Sequence, residues 1–303
     1  MNSKVWLITG ASSGIGRAIT EHVLSRGDIV VATMRKPSAI ADLAATCGRD
    51  VLLPVELDVT NYAQAAAAFD RAKEAFGRID VVVNNTGYGI CGEFKAIPEE
   101  DARRLVDVNY WAPANITRQA IRFFREVNPA GAGGTVLQVT SGAGFVGVPI
   151  YSQYAASKHA LEGLTEGIAG ELDPAWNIKL CLVEPGQFDT NGPNVTLVLP
   201  VHPAYATSKS LPSHPMRADT VGVRFKGDAA KLARAVYDVV LSGDIPLRLP
   251  MGLDCVRLLK TKARALQETA ESTEKWSVDM LREGVEGITE DDAIYQSVLA
   301  ATH

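Results

Sequence analysis

Val5-Trp6-Leu7-Ile8-Thr9-Gly10-Ala11-Ser12-Ser13-Gly14-Ile15-Gly16 is the stretch on which the reading turns. Val5–Thr9 is a short apolar run that reads as a strand, and a glycine turn follows it. The residues beyond read as a helix to about Arg26, with Gly27 as its natural stop. Glycine permits the tight turn and lets main chain approach a pyrophosphate. The helix N-terminus behind it offers free N–H groups and a positive dipole end. A glycine turn alone is a weak signal; after the first strand of a β-α-β unit it is much stronger.

Outward from this turn, short apolar runs alternate with longer helix-period stretches. Strands are expected at Ile29–Thr33, Val51–Leu57, Asp80–Val83, Thr135–Thr140 and Ile178–Val183. Helices are expected over Tyr62–Phe76, closed by Gly77, over Pro98 to about Val127 with a kink at Pro113, and over Ala155–Leu172. This alternation predicts an α/β fold, a doubly wound parallel sheet with helices on both faces. Ligands in such sheets bind at the carboxyl ends of the strands. Regularity stops at Pro185. Residues 186–226 carry five prolines with little periodicity, as a substrate loop would. Asp228 then reads as the N-cap of a helix ending near Gly243, Leu247–Leu249 as a short strand, and Cys255–Trp276 as a helix. The expected organisation is one domain over 1–250 and a small C-terminal helical extension over 251–303.

Composition narrows the function classes. The chain has 303 residues, 47% hydrophobic and 21% charged, which suits a globular domain. A net charge of −5 provides no global field for nucleic acid. No apolar run approaches the roughly 20 residues that span a bilayer. Cys47, Cys91, Cys181 and Cys255 are scattered without a Cys-x-x-Cys pair, which reads as reduced thiols in a cytoplasmic protein. The five histidines lack metal-ligand spacing, so no metal is expected. The acidic runs Glu99-Glu100-Asp101 and Glu290-Asp291-Asp292 read as solvated helix starts.

The spacing Gly-x-x-x-Gly-x-Gly resembles the compact branch of the short-chain dehydrogenase/reductase family, over about residues 4–190 and more loosely to about 250. The resemblance implies a Rossmann-like fold and an NAD(P)-binding oxidoreductase. It implies that Gly10, Gly14 and Gly16, with Ser12, Ser13 and Ile15, hold the cofactor's phosphates. Leu57-Asp58-Val59 resembles the adenine-contacting segment, with Asp58 on the exocyclic amine. Asn84-Asn85-Thr86-Gly87 resembles the family's Asn-Asn-Ala-Gly motif, with Thr86 in place of Ala, and puts Asn85 and Gly87 at the cofactor. Pro185-Gly186, with Thr190 after it, resembles the segment that lines the nicotinamide.

An NAD-preferring site places an acid at the end of the second strand, where it bonds the ribose 2′-hydroxyl. Here that place reads Ala32-Thr33-Met34-Arg35-Lys36, without an acid. A guanidinium fork suits a 2′-phosphate, so NADP(H) is expected in preference to NAD(H). Ser13 and Thr33 are candidate hydroxyl donors. The plainer alternative is that Arg35 and Lys36 only solvate a strand end.

Tyr154 and Lys158 stand four apart at the start of a helix, on one face. A free tyrosine titrates near pH 10. A neighbouring ammonium favours its phenolate, which predicts an acid–base pair with a lowered tyrosine pKa. Tyr-x-x-x-Lys by itself is common; its place after the glycine turn gives it weight. Tyr151 competes nearby, but Ala155 stands four residues on. Family resemblance assigns Ser141 to the substrate oxygen and Asn109 to a water linked to Lys158, and it has Lys158 bond the nicotinamide ribose. A serine before glycine can also be only a turn residue, and Asn109 only an exposed or capping residue. The reaction implied is hydride transfer between NADP(H) and a carbonyl or alcohol, Tyr154 moving the proton.

Tyr88, Ile90, Phe94, Phe145, Val146, Gln187 and Val195–Leu199 are the expected pocket walls. They suit a medium-sized hydrophobic or aromatic ketone, aldehyde or alcohol. Val31-Ala32-Thr33-Met34-Arg35 and the long C-terminal segment resemble the hydroxysteroid/retinol dehydrogenase-like subgroup. Two other classes stay open at this stage. One is a nucleotide-sugar epimerase or dehydratase, which shares Tyr-x-x-x-Lys; the other is a non-catalytic NADPH-binding regulator. The family usually pairs through the helices over 98–127 and 155–172, which implies a homodimer or homotetramer, with Trp111, Phe123 and Phe124 as core or interface.

Overall fold

A computed structural model describes residues 3–190, 196–207, 211, 213–218, 225–278, 280, 287, 292, 293, 295 and 296, apart from the side chains of 213, 214 and 218. The main sheet has seven strands: β1 (Val5–Thr9), β2 (Ile29–Met34), β3 (Leu52–Glu56), β4 (Val81–Asn84), β5 (Gly134–Val139), β6 (Ile178–Pro185) and β7 (Arg248–Met251). Every pairing is parallel and the spatial order is β3-β2-β1-β4-β5-β6-β7. The order reverses between β1 and β4, so the loops after these two strands part there and open a crevice. Both edge strands carry a proline, Pro54 in β3 and Pro250 in β7. An edge is where a strand tolerates a missing N–H.

Strand alternation sends successive side chains to two cores. On one face Trp6, Ile8, Val30, Ala32 and Val83 pack under α1 (Gly14–Ser25) and a helix over Ala229–Ser242. On the other, Val5, Leu7, Val31, Val82 and Val136 meet α3 (Tyr62–Phe76) and α5 (Ala112–Glu126). Phe69 and Phe123 are buried there with ring centroids 5.8 Å apart. Truncating either to alanine costs about 3–5 kcal/mol, so they are core and not interface; Phe124 is buried likewise, while Trp111 is half exposed. Other helices among the described residues are α2 (Ala41–Thr46), α4 (Glu99–Val106), α6 (Ser152–Glu171), α7, which is the Ala229–Ser242 helix above, and α8 (Leu253–Thr273), with two short turns of helix at Pro203–Ala206 and Ser213–Ala218 in the loop before α7.

The caps follow the local chemistry. Asp228 accepts from the N–H groups of Ala230 (2.8 Å) and Lys231 (3.3 Å), and Gly243 closes α7 in the left-handed conformation, as expected. Gly77 does the same for α3, whose N-cap is Asn61. The expected continuous helix over 98–127 is instead two helices joined by a π-turn at Asp107–Trp111. Pro113 falls in the first turn of α5, where its missing N–H is not needed. The irregularity sits one turn earlier than the proline and contains Asn109. α2 and the short pairing of Ile90–Cys91 with Leu197–Val198 were not foreseen. They are too short for any period to show. The stretch from 279 onward, with the acidic run at Glu290 and Asp291, lies almost wholly outside the described residues, as do Val195 and 191–194 of the expected loop.

Candidate active site

The turn between β1 and α1 is shaped by two left-handed glycines, Gly10 (φ 65°) and Gly14 (φ 57°). A Cβ on Gly16 would lie 2.4 Å from Asn85 Nδ2 and 2.5 Å from the Gly10 carbonyl oxygen, closer than any side chain sits. Asn85 donates its amide to the carbonyls of Thr9 (2.9 Å) and Gly10 (3.3 Å), and its main-chain N–H to the Thr9 hydroxyl (2.9 Å). Asn85, expected on the cofactor, thus holds the turn against β4. Ser13 caps α1 with extended backbone and no side-chain cap bond, and no acid stands in the first turn. Free N–H groups at a dipole's positive end, over a cradle with no Cβ at Gly10, Gly14 or Gly16, fit a pyrophosphate. Ser12 and Ile15 lie half-buried in the same turn.

Arg35 and Lys36 stand exposed just past the end of β2. Asp58 lies nearby. The Thr60 hydroxyl (2.7 Å) and N–H (3.0 Å) donate to its Oδ1, and these bonds, with a smaller contribution from Arg35, hold its carboxyl below the usual range. Val59 beside it is buried. Thr33 does not offer the expected hydroxyl. Strand alternation turns it inward, and it donates to the Ile8 carbonyl at 3.1 Å.

The catalytic candidates converge beyond β4 and β5. Ser141 stands two residues past β5 with its Oγ accepting from the Ala143 N–H at 3.1 Å, and its side chain faces the Tyr154 phenol and favours the phenolate. Lys158 is 4% exposed, donates to the Val139 carbonyl at 2.9 Å, and lies 5.8 Å from the Tyr154 ring centroid. Burial lowers the Lys158 ammonium to about 8, against a raising influence from Glu162. The expected lowering of Tyr154 is absent. Burial pushes its phenol up, and the bond with Ser141 only partly offsets that, because Lys158 directs its ammonium to the Val139 carbonyl. Asn109 is buried in the π-turn. Its amide donates to the Tyr88 carbonyl (2.9 Å) and Ser157 Oγ (3.1 Å), and its Oδ1 accepts from the Tyr88 N–H (3.1 Å). It is therefore neither exposed nor a cap. A Cβ on Gly87 would be 3.1 Å from Asn109 Oδ1 and 3.4 Å from Lys158 Nζ, so Gly87 lies against both.

Tyr151 stands edge-on to Tyr154, ring centroids 6.2 Å apart, and 3.5 Å from the Cβ position of Gly89. It thus packs beside Tyr154 and Gly89. Ile150 before it holds φ 60°, a strained conformation for a β-branched residue. Of the expected walls, Ile90 and Phe145 are buried, Tyr88 and Val146 are half-buried, Gln187 is exposed and Phe94 is 68% exposed. Pro185 ends β6 and Gly186 donates to the Met251 carbonyl at 2.8 Å; Thr190 follows half-buried. Asp254, unforeseen, reaches this segment from α8. Its Oδ2 accepts from the Gln187 N–H at 2.7 Å and would lie 2.2 Å from a Cβ on Gly186. Only a folded chain brings Asp254 to Gly186. The second unforeseen group, Glu162, Glu184 and Arg248, did leave a trace: Glu184 is a charge inside an apolar strand.

Among the described residues no helix is long and apolar enough to cross a membrane, and no His/Cys/Asp/Glu cluster could hold a metal ion. Residues 4–195 match the family model described as short chain dehydrogenase. An uncharacterised oxidoreductase of Schizosaccharomyces pombe is 36% identical over 279 residues, 91% of each chain. A short-chain dehydrogenase from Streptomyces avermitilis is 35% identical with a TM-score of 0.83, covering 93% of this chain and all of that one. A short-chain dehydrogenase from Burkholderia cenocepacia, solved with NADP, is 26% identical with a TM-score of 0.67, covering 89% and 97%. With the glycine cradle and the Ser141, Tyr154 and Lys158 constellation in place, the chain belongs to the short-chain dehydrogenase family of oxidoreductases, which act on alcohol and carbonyl groups.

Proposed function

We propose that the chain is an NADP(H)-dependent reductase of a medium-sized hydrophobic or aromatic ketone or aldehyde, with Asn109, Ser141, Tyr154 and Lys158 as its working residues. The convergence of Ser141 on Tyr154, beside Lys158, is the observation that carries the reading. A bound dihydronicotinamide supplies the hydride, and its oxidised form a positive charge. Ser141 and Tyr154 donate hydrogen bonds to the carbonyl oxygen, and Tyr154 gives up its proton to it. A phenol held above its usual pKa stays protonated through the neutral range, as a proton donor must. Lys158 supplies a cation beside the phenol left behind, and Asn109 fixes the backbone around Gly87 on its other side.

Gly10, Ser12, Ser13, Gly14, Ile15 and Gly16 hold the pyrophosphate, Asp58 and Val59 the adenine, and Gly87, Pro185, Gly186 and Thr190 the nicotinamide end. The NADP(H) preference rests on exposed Arg35 and Lys36 at a strand end without an acid. The aromatic edge of Tyr151 and half-buried Tyr88 support an apolar substrate. Residues 1–250 are the catalytic domain and 251–303 an extension that buttresses it through Asp254. Half-exposed Trp111 beside α5 supports pairing of two or four copies. Free Cys47, Cys91, Cys181 and Cys255 suit the cytoplasm.

The test follows NADPH and NADH oxidation against aromatic, steroidal and aliphatic carbonyls. Tyr154→Phe should abolish turnover while cofactor still binds. Arg35→Asp should weaken NADPH binding roughly ten- to hundredfold, the worth of one or two charge-assisted bonds, and spare NADH. Turnover that survives Tyr154→Phe rejects the mechanism, and an unchanged cofactor ratio in Arg35→Asp rejects the role of Arg35.

A further inference from the structure

Behind Lys158 lies a buried cluster that the proposed chemistry does not use. Glu162 follows Lys158 by four residues on α6 and is 2% exposed; Glu184, in β6, is fully buried. Both carboxylates take a hydrogen bond from the same nitrogen, Arg248 Nη1, at 2.8 Å for Glu162 Oε2 and closely for Glu184 Oε1. The other side of that guanidinium goes to Glu166 Oε1, at 3.0 Å and 2.7 Å. Glu162 Oε1 and Glu184 Oε2 are buried without a hydrogen-bond partner among the described residues. Two buried carboxylates on one donor nitrogen, each with an idle oxygen, cannot comfortably both be charged.

The cluster touches the catalytic residues from two sides. A Cβ on Gly144 would lie 1.7 Å from Glu162 Oε1, so this carboxylate fills the space under the turn that carries Ser141. Its charge also acts on the Lys158 ammonium. Every element packed here contributes a group. From α6 come Lys158, His159 and Glu166, and from β6 Glu184 and Cys181. From β7 comes Arg248, and from the end of β5 Thr140, whose hydroxyl donates to the Val183 carbonyl at 3.3 Å. From α8 come Cys255 and Asp254.

Resting on the reading above, we propose that Glu162 is a positioning residue for Lys158, and that the one proton it shares with Glu184 sets the negative charge that keeps the lysine an ammonium. Burial and the charge of Glu162 raise Glu184 to about 7, and burial raises Glu162 as well, against Arg248. The shared proton therefore comes and goes near neutrality, next to an ammonium at about 8.

The two glutamates then act differently on the lysine. Glu162→Gln removes the charge that supports the ammonium. Glu184→Gln removes the rival carboxylate and leaves Glu162 its charge, so the ammonium keeps its support. The experiment measures the alkaline limb of kcat/KM for carbonyl reduction in both variants and in Glu166→Gln. It also follows the 13Cε shift of Lys158 against pH in 13C-lysine-labelled protein, which needs no turnover. Glu162→Gln should move limb and shift to lower pH by about one unit, a roughly tenfold loss of rate at alkaline pH. Glu184→Gln should leave them in place or move them up, and Glu166→Gln should leave them in place. Movement of both buried variants in the same direction, or unmoved titration with only a lower Tm, overturns the proposal in favour of a purely structural cluster. If Glu162→Gln does not fold, the direction in Glu184→Gln decides alone: a move to lower pH overturns it. Turnover surviving Tyr154→Phe rejects the catalytic reading instead, while the lysine titration still judges this one.

Discussion

Asn109 and the backbone of Tyr88 are joined by two reciprocal hydrogen bonds, Nδ2 to the Tyr88 carbonyl oxygen at 2.9 Å and the Tyr88 N–H to Oδ1 at 3.1 Å. A side-chain amide here imitates a neighbouring strand, closing the loop after β4 onto the π-turn. Asn109→Ala leaves a donor and an acceptor unpaired in a largely buried place. At about 1–3 kcal/mol for each such group, the variant should lose about 2–6 kcal/mol of stability. It should lose kcat more than cofactor affinity, because Gly87 and Lys158 lie at the same spot. Denaturant unfolding with steady-state kinetics checks both, and unchanged stability would remove the clamp from the account.

Gly16→Ala should weaken NADPH binding at least about tenfold and lower stability by about 1–3 kcal/mol. Its Cβ meets the Gly10 carbonyl oxygen, which is backbone and cannot swing away, at 2.5 Å. Relief requires the phosphate cradle itself to move. NADPH fluorescence titration reads this directly, and wild-type affinity would show that the turn yields.

If Pro185–Thr190 line the cofactor as proposed, Asp254 on α8 braces that segment. Asp254→Ala removes the acceptor for the Gln187 N–H and the wall behind Gly186. The expected outcome is a KM for cofactor raised several-fold, with kcat nearly unchanged and stability down by about 0.5–1.5 kcal/mol. Asp254→Asn keeps an acceptor oxygen and should restore most of the loss. Equal defects in both variants would mean that the charge matters and the hydrogen bond does not.

Glu184 makes stability depend on pH with a definite sign. Its folded value of about 7 lies above an unfolded glutamate, about 4.3. The folded state therefore holds a proton that the unfolded chain releases. That stabilisation is full below about pH 4 and is lost as pH rises through about 7. Lys158 works in the opposite sense and higher up: its folded value of about 8 lies below the unfolded one near 10.4, so its contribution grows across that window. Glu184→Gln should thus gain in Tm relative to the unsubstituted chain as pH goes from about 5 to 8. A difference in Tm that stays flat over that range would mean that Glu184 does not titrate there.

The sequence by itself determined the order of the main-sheet strands and of most long helices, the glycine cradle, and the four-residue spacing of Tyr154 and Lys158. These are written in local periods: alternation in strands, four-residue spacing in α6, and glycine where φ is positive at Gly10, Gly14 and Gly77. It also led to Asp228 as a cap, because a cap bonds only its own next turn. The tertiary structure decided what depends on distant neighbours. Thr33 reads as a cofactor donor until the sheet pairs it with Ile8, and the bond by which Asn85 ties the glycine turn to β4 shows only in the folded chain. Tyr154 has a raised and not a lowered pKa, because burial acts on it while Lys158 faces Val139. Glu162, Glu184 and Arg248 come from one helix and two strands, and Asp254 reaches Gly186 from another helix. No local period encodes such contacts; they exist only once chain closure sets burial and charge separation, and those set the chemistry.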